Sequence, residues 1–242
     1  MECGEFDKRN KDYYKLYSKE TYFRNLMNIN SSDNNDSSKG KGKIIFDVGA
    51  HSGESAKFFN VLFPLATIYS FEPIPKMADK IRQLSLDNHF LNECALSNYD
   101  GNEDFHIQDI THLSSLHKVN KMSKHSLGYH KKEKHKTITV DVVRGDTFMR
   151  EKHISKIDLL KIDVQANEVQ TIEGFSDAIN KVNTVLVEVS FYDFYENKSS
   201  IRLIEEQLPS FELYDIFEIS KNPKTLGTDW ASIIYKNLNF KD

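Results

Sequence analysis

Ile44-Ile45-Phe46-Asp47-Val48-Gly49-Ala50-His51-Ser52-Gly53-Glu54-Ser55 is an apolar run that stops at an acid, bends through glycines and enters a helix-like segment. Twenty-five residues after Asp47 a second apolar run, Ile68-Tyr69-Ser70-Phe71, stops at a second acid, Glu72. Strand, glycine turn, helix, strand and acid, in that order, build a nucleoside pocket at the carboxyl ends of the strands of an α/β sheet. Glu72 is expected to accept hydrogen bonds from both ribose hydroxyls; the alternative is an exposed acid before the turn at Pro73.

The glycine spacing narrows the nucleoside. A dinucleotide turn places glycine first, third and sixth so that backbone N–H groups close on a pyrophosphate. Counted from Gly49, those places hold Gly49, His51 and Glu54, and Glu54 would set a negative charge where the phosphate should sit. An adenosine compound with no phosphate and a positive centre meets no such objection, and S-adenosylmethionine is such a compound. On this reading Gly49, Ala50 and Gly53 bring the backbone close to the cofactor. Asp47 holds the ammonium of the methionine tail, directly or through water, or else caps the turn. His51 and Ser52 lend groups to the tail carboxylate, with helix capping the alternative for Ser52. Asn92 and Ala95, with Leu96, are placed at the adenine edge by their position near the end of the third strand.

These residues need a sheet to converge on. From residue 43 strands and helices alternate, which argues for a mostly parallel sheet covered on both faces. Expected strands lie at 44–47, 68–71, 90–96, 103–107, 137–143, 157–164, 184–189, 213–219 and 231–235. The last two, joined by a turn with Pro223 and Gly227, suit an antiparallel edge pair. Helices are expected through Ala56, Phe59 and Phe63; through Met77, Ile81 and Leu84; through Val169, Ile172 and Ile179; and through Ile201, Ile204 and Leu208. Ahead of the sheet, Tyr13, Leu16, Tyr17, Phe23, Leu26 and Met27 repeat at mostly helical spacing. The polar run Asn30–Gly40 can bury nothing. The expected organisation is a helical segment at 1–29, a flexible linker at 30–43 and a catalytic domain at 44–242. The first segment reads as a lid, a dimer contact or a helix packed on the sheet.

The chain's 242 residues, 39% hydrophobic and 28% charged, suffice for one α/β core with an appendage. A net charge of −4 argues against nucleic acid as a partner. Cys3 and Cys94 form no disulfide framework, which suits a reducing compartment. The first residues carry no apolar signal core, and no run approaches the roughly 20 apolar residues of a membrane span. A cytoplasmic protein without a membrane partner is expected.

Four segments in order, Phe46–Glu54, Phe71-Glu72-Pro73, Ala95-Leu96-Ser97 and Leu160-Lys161-Ile162-Asp163-Val164-Gln165-Ala166-Asn167-Glu168, resemble the FkbM-type S-adenosylmethionine-dependent methyltransferases over about residues 44–237. The resemblance implies the Rossmann-like class I methyltransferase sandwich, with seven strands and the last antiparallel. It also implies methylation of hydroxyl oxygens, often on sugars or secondary metabolites. Gln165-Ala166 stands where the family usually has Glu-Gly, and His51 where asparagine is frequent.

Methyl transfer to an alcohol requires in-line positioning and removal of a proton. Asp163 and Glu188 each close a central strand and should open on one crevice, where either can act as general base or orient the acceptor. Lys161 alternates with Asp163 and points the same way, so it acts there or pairs with an acid. Two carboxylates are too few for a metal site, and His106, His112 and His117 lack zinc-ligand spacing, so no metal is expected. Between Lys118 and Lys136 lie seven lysines and one acid, Glu133, a formal +6 that leaves −10 elsewhere. This segment either recognises an anionic acceptor such as a sugar phosphate or acidic glycan, or is a solvated loop. Phe191-Tyr192-Asp193-Phe194-Tyr195 offers rings that stack on an acceptor or fill the gap above the sheet. The expected protein is an S-adenosylmethionine-dependent O-methyltransferase of a sugar-like small molecule. The rivals are a dinucleotide oxidoreductase and a non-catalytic nucleoside-binding protein.

Overall fold

The computed structural model describes residues 19–27, 40–123, 135–197 and 199–240. Along the chain run β1 (Ile44–Val48), β2 (Thr67–Phe71), β3 (His89–Asn92), β4 (Ala95–Ser97) and β5 (Gly101–Gln108). They are followed by β6 (His135–Arg144), β7 (Ile157–Ile162), β8 (Val182–Ser190), β9 (Phe211–Lys221) and β10 (Thr228–Asn237). The described helices are α1 (Lys19–Leu26), α2 (Glu54–Leu62), α3 (Pro75–Gln83), α4 (Gly145–Glu151), α5 (Glu168–Glu173) and α6 (Ile201–Glu206).

Seven strands form one sheet in the order β3-β2-β1-β7-β8-β10-β9. The first five are parallel, and β10 runs antiparallel to both β8 and β9. This is the Rossmann-like class I methyltransferase order with its antiparallel last strand. The faces follow from strand alternation. Ile45, Ile68, Leu159 and Ile234 pack with Phe23, Leu26 and Met27 of the α1 segment and Ala56, Phe59 and Leu62 of α2. Phe46, Val48, Leu160 and Ile162 pack on the other face with Phe148, Ile172, Phe175 and Ile204. Of the three readings of the N-terminal segment, its described part is a helix packed on the sheet. Residues 1–18 and 28–39, including most of the expected linker, lie outside the described residues.

Three expectations need correction. The strand at 90–96 is two strands in different sheets, because Glu93 and Cys94 turn the chain out of register. The strands at 103–107 and 137–143 do not extend the main sheet. They form a second sheet, β4-β6-β5, whose Ala95, Phe105, Val140 and Val142 pack on Ile74 and Met77 at the start of α3. The helix carrying Val169, Ile172 and Ile179 ends at Glu173 and resumes after Gly174 as a 3-10 turn over Ser176–Lys181.

Gly174 makes that break because Ser97 of β4 crosses it. A Cβ on Gly174 would lie 2.1 Å from the Ser97 carbonyl oxygen. Asn167 and Thr171 in the same region donate side-chain hydrogen bonds to the Leu96 carbonyl at 3.1 and 3.0 Å. The small sheet is therefore clamped to α5 through β4. In an open helix end alanine would add stability, by up to about 1 kcal/mol. Here Gly174→Ala should instead lower the unfolding free energy in urea by about 1–3 kcal/mol, the scale of an overpacked core.

Candidate active site

Three parallel strands end side by side, and their register sets a row of charge on the face that carries α1 and α2. Asp47 of β1 stands beside Lys161 of β7, which stands beside Leu186 of β8. Two residues on, Asp163 and Glu188 continue the row. Lys161 Nζ lies 3.1 Å from Asp47 Oδ1 and 3.7 Å from Asp163 Oδ2, and it donates to the Gly49 carbonyl at 3.2 Å. Burial works against its charge, but Asp47 and Asp163 more than offset that and hold the ammonium above the ordinary lysine range. Of the two openings read for Lys161, the structure takes the pairing with an acid. Asp47, the buried partner in this pair, is fully shielded from solvent and is not among the residues that line the pocket over the glycine turn.

The glycine turn locks onto the end of β2. Gly49 and Ala50 donate backbone bonds to the Phe71 carbonyl, both at 3.1 Å. His51, at φ 48°, donates its backbone N–H to Glu72 Oε2 at 2.8 Å, and Ile74 N–H reaches Glu72 Oε1 at 2.8 Å. Burial pushes the Glu72 carboxyl up to about 7 against these bonds. Gly49, at φ 77°, admits only glycine: a Cβ there would come within 1.9 Å of the Asp163 carbonyl oxygen.

A pocket of about 600 Å³ opens over this turn. Glu72 lies in its wall with Phe71, Ile74, Ala95, Leu96, Phe105 and Leu116, an apolar slot beside a carboxylate. Asp163, Gln165, Thr111 and His112 close its other side, and its lining holds no lysine or arginine. That chemistry fits an adenosine with a cationic centre and offers a pyrophosphate no counter-charge. Among the expected cofactor residues, Gly49, His51, Glu72 and Ala95 border this pocket. Asn92 does not, because its amide turns back to the Ser70 and Phe90 carbonyls, each at 3.2 Å. Ala50 is buried under the turn, Gly53 begins α2, and the Ser52 hydroxyl donates to Glu54 Oε1.

A second opening of about 920 Å³ adjoins the first, with Asp163, Gln165 and His112 common to both. Glu188, Tyr192, Asp229 and Trp230 line it. Gln165 joins the two expected acids: its amide donates to Asp163 Oδ1 at 2.9 Å and Glu188 Oε1 at 3.2 Å, and its Oε1 accepts from Tyr195 at 3.0 Å. Burial, then the Asp163 charge, pushes the Glu188 carboxyl up. The buried Glu168 carboxyl is pushed to about 7 by burial, against the bond it accepts from the Ala166 N–H. Among the described residues no group of three or more His, Cys, Asp or Glu is arranged to hold a metal.

The sequence reading missed Phe105, Thr111, His112, Leu116 and Trp230. They reach the site from the small sheet, its loop and the antiparallel edge, and no local periodicity marks them. A histidine in an irregular stretch was the one available signal, and it was weighed only as a zinc ligand.

Gln165 and Ala166 both sit in the left-handed region, at φ 57° and 81°. The Ala166 N–H donates to Glu168 Oε1 at 3.0 Å, and its carbonyl accepts from Ser199 at 3.0 Å, so the turn is held from outside. Relief of that strain exceeds the added chain entropy of glycine, so Ala166→Gly should raise the unfolding free energy by about 0.5–1 kcal/mol in a urea titration. A loss of stability would refute the strain.

A family model described as the methyltransferase FkbM domain matches residues 47–219. The chain is 31% identical over 176 residues to 2-O-methyltransferase NoeI of Sinorhizobium fredii, covering 70% of this chain and 72% of that protein. It is 23% identical over 173 residues to the hexuronic acid methyltransferase AglP of Haloferax volcanii, covering 70% of this chain and 64% of the relative. It is 28% identical over 174 residues to the 31-O-demethyl-FK506 methyltransferase FkbM of Streptomyces tacrolimicus, covering 63% and 67%.

Proposed function

The chain belongs to the FkbM-domain methyltransferases, and from that premise we propose that it methylates a hydroxyl oxygen of a neutral sugar, free or within a glycan. It is an S-adenosylmethionine-dependent O-methyltransferase of a small-molecule acceptor. NoeI is a 2-O-methyltransferase and AglP acts on a hexuronic acid, which supports a sugar as the acceptor. The observation that carries the reading is the buried Glu72 carboxylate beside an apolar slot without lysine or arginine.

S-adenosylmethionine supplies an electrophilic methyl carbon and a neutral leaving group. In this proposal Glu72 accepts the ribose hydroxyls, and Ala95, Leu96, Ile74 and Phe105 sandwich the adenine. Lys161 keeps the Gly49 turn in place and so acts as a positioning residue. Asp163 faces the cationic end of the cofactor. Glu188 and Asp163, spaced by the Gln165 amide, orient acceptor hydroxyls, and Tyr192 and Trp230 offer ring faces for a sugar. The acceptor opening has carboxylates in its wall and no lysine or arginine, which favours a neutral sugar over a uronate. The basic segment that argued for an anionic acceptor falls mostly outside the described residues.

Glu72→Ala should weaken S-adenosylhomocysteine binding by about 1.5–3 kcal/mol in isothermal titration, the worth of hydrogen bonds to a charged group. The carboxylate is the binding form, and its protonation sits at about 7. Affinity should therefore fall about tenfold as pH drops from 8 to 6, and Glu72→Gln should remove that dependence. Unchanged affinity in Glu72→Ala would end the ribose assignment. For the acceptor, labelled methyl transfer to glucose, galactose, fucose, N-acetylglucosamine oligomers and the matching uronates is expected to label the neutral members first. Labelling of uronates alone would overturn the charge preference.

A further inference from the structure

Resting on that reading, we propose that His112 is the general base that takes the proton from the acceptor hydroxyl. The residues common to the cofactor pocket and the acceptor opening are Asp163, Gln165 and His112. A base for methyl transfer must stand where those two spaces meet, within hydrogen-bond reach of the oxygen being alkylated. Gln165 has no basic atom, and its amide is already spent on Asp163, Glu188 and Tyr195. Asp163 is already engaged on both oxygens: Oδ1 accepts from the Gln165 amide at 2.9 Å, and Oδ2 lies 3.7 Å from Lys161 Nζ. Glu188 borders the acceptor opening but not the cofactor pocket.

His112 stands apart from these bonded groups. Its ring lies on that of His51, with centroids 3.9 Å apart and planes tilted by 34°. The hydrogen bonds of His51 set its tautomer. The Ser52 hydroxyl spends its one proton on Glu54 Oε1, so at 3.1 Å it can only accept from His51 Nδ1–H. His51 Nε2 then accepts from the Thr111 hydroxyl at 2.8 Å. Both His51 nitrogens are engaged in its neutral form, and burial, then His112, lowers its basicity further. His51 is thus a platform. It also pins the turn Thr111–Leu113 through Thr111, while neither ring nitrogen of His112 has a hydrogen-bond partner among the described residues. The titratable groups around the ring pair are Glu54 on α2, Lys80 on α3 and Asp163 at the end of β7. The step balances: the hydroxyl oxygen forms its bond to the methyl carbon, the C–S electron pair stays on sulfur, and the hydroxyl proton passes to His112 and then to water.

The test has two arms. In the first, His112→Gln should lower kcat for a sugar that the wild type labels by about 10²–10⁴-fold, the range of general-base catalysis, a loss far larger than any change in S-adenosylhomocysteine affinity. With S-adenosylmethionine saturating at every pH, so that the Glu72 ionisation is not read, the variant should lose part of the wild-type rise of kcat with pH. Imidazole in the buffer should partly restore His112→Ala. Retained turnover, or a pH profile that the variant leaves intact, overturns the proposal. In the second arm no acceptor is needed. Diethyl pyrocarbonate should modify His112 at least about tenfold faster than the doubly bonded His51, as read by peptide mass spectrometry, and S-adenosylhomocysteine should slow it. Equal rates, or no protection, overturn the proposal as well. If no sugar is labelled by the wild type, the sugar reading fails, and equal rates or no protection in this second arm would still exclude His112 as the base.

Discussion

Lys161 is an ammonium almost cut off from water, and the strand ends around the pocket are arranged to keep its charge matched. A buried cation is tolerable only with partners at close range. Asp47 and Asp163 supply charge, and the Gly49 carbonyl supplies a hydrogen bond. These partners come from both sides of the β1–β7 junction, so satisfying the lysine also fixes the glycine turn against the end of β7. The close approach of Gly49 to the Asp163 carbonyl follows from the same requirement. The shape of the pocket over the glycine turn and the direction of Asp163 thus share one electrostatic cause.

The opposite wall depends on contact between the two sheets. β4 is only three residues long, yet it carries Ala95 and Leu96 into the pocket. It keeps its place because the Leu96 carbonyl accepts from Asn167 and Thr171, while Gly174 leaves room for Ser97. The segment after β7 therefore serves both pockets: Gln165 lines the opening proposed for the acceptor, and Asn167 holds the wall of the one proposed for the cofactor.

Gln165-Ala166 departs from the Glu-Gly usual in the family, and the structure gives each change a physical meaning. A carboxylate at 165 would be a further acid beside Asp163, Glu188 and Glu168, in a place where burial already raises two of them. An amide instead donates to two of these acids and lets them sit close together. Alanine at φ 81° keeps the turn that glycine would make at lower strain, held there by the bond its N–H gives to Glu168 and the bond its carbonyl accepts from Ser199. The turn is kept although its residues have changed, so the departures argue for a retuned site more than for a lost one.

How much of this was legible in the chain depends on the range of the forces involved. The β1 turn, the start of α2 and the acid after β2 were readable because strand alternation, glycine sterics and spacing act over a few residues. Period-two alternation alone placed Lys161 and Asp163 on one face. It could not say that Lys161 would pair with Asp47, since that follows from parallel register between segments 114 residues apart. Nor could it say that Asn92 would turn away while Ala95 entered the pocket, because a strand that changes sheets after two residues looks continuous in one dimension. His112, Phe105 and Trp230 converge only through packing of a second sheet and an antiparallel edge. Local chemistry was written in the sequence; which distant groups share one cavity was decided by the register and stacking of the layers.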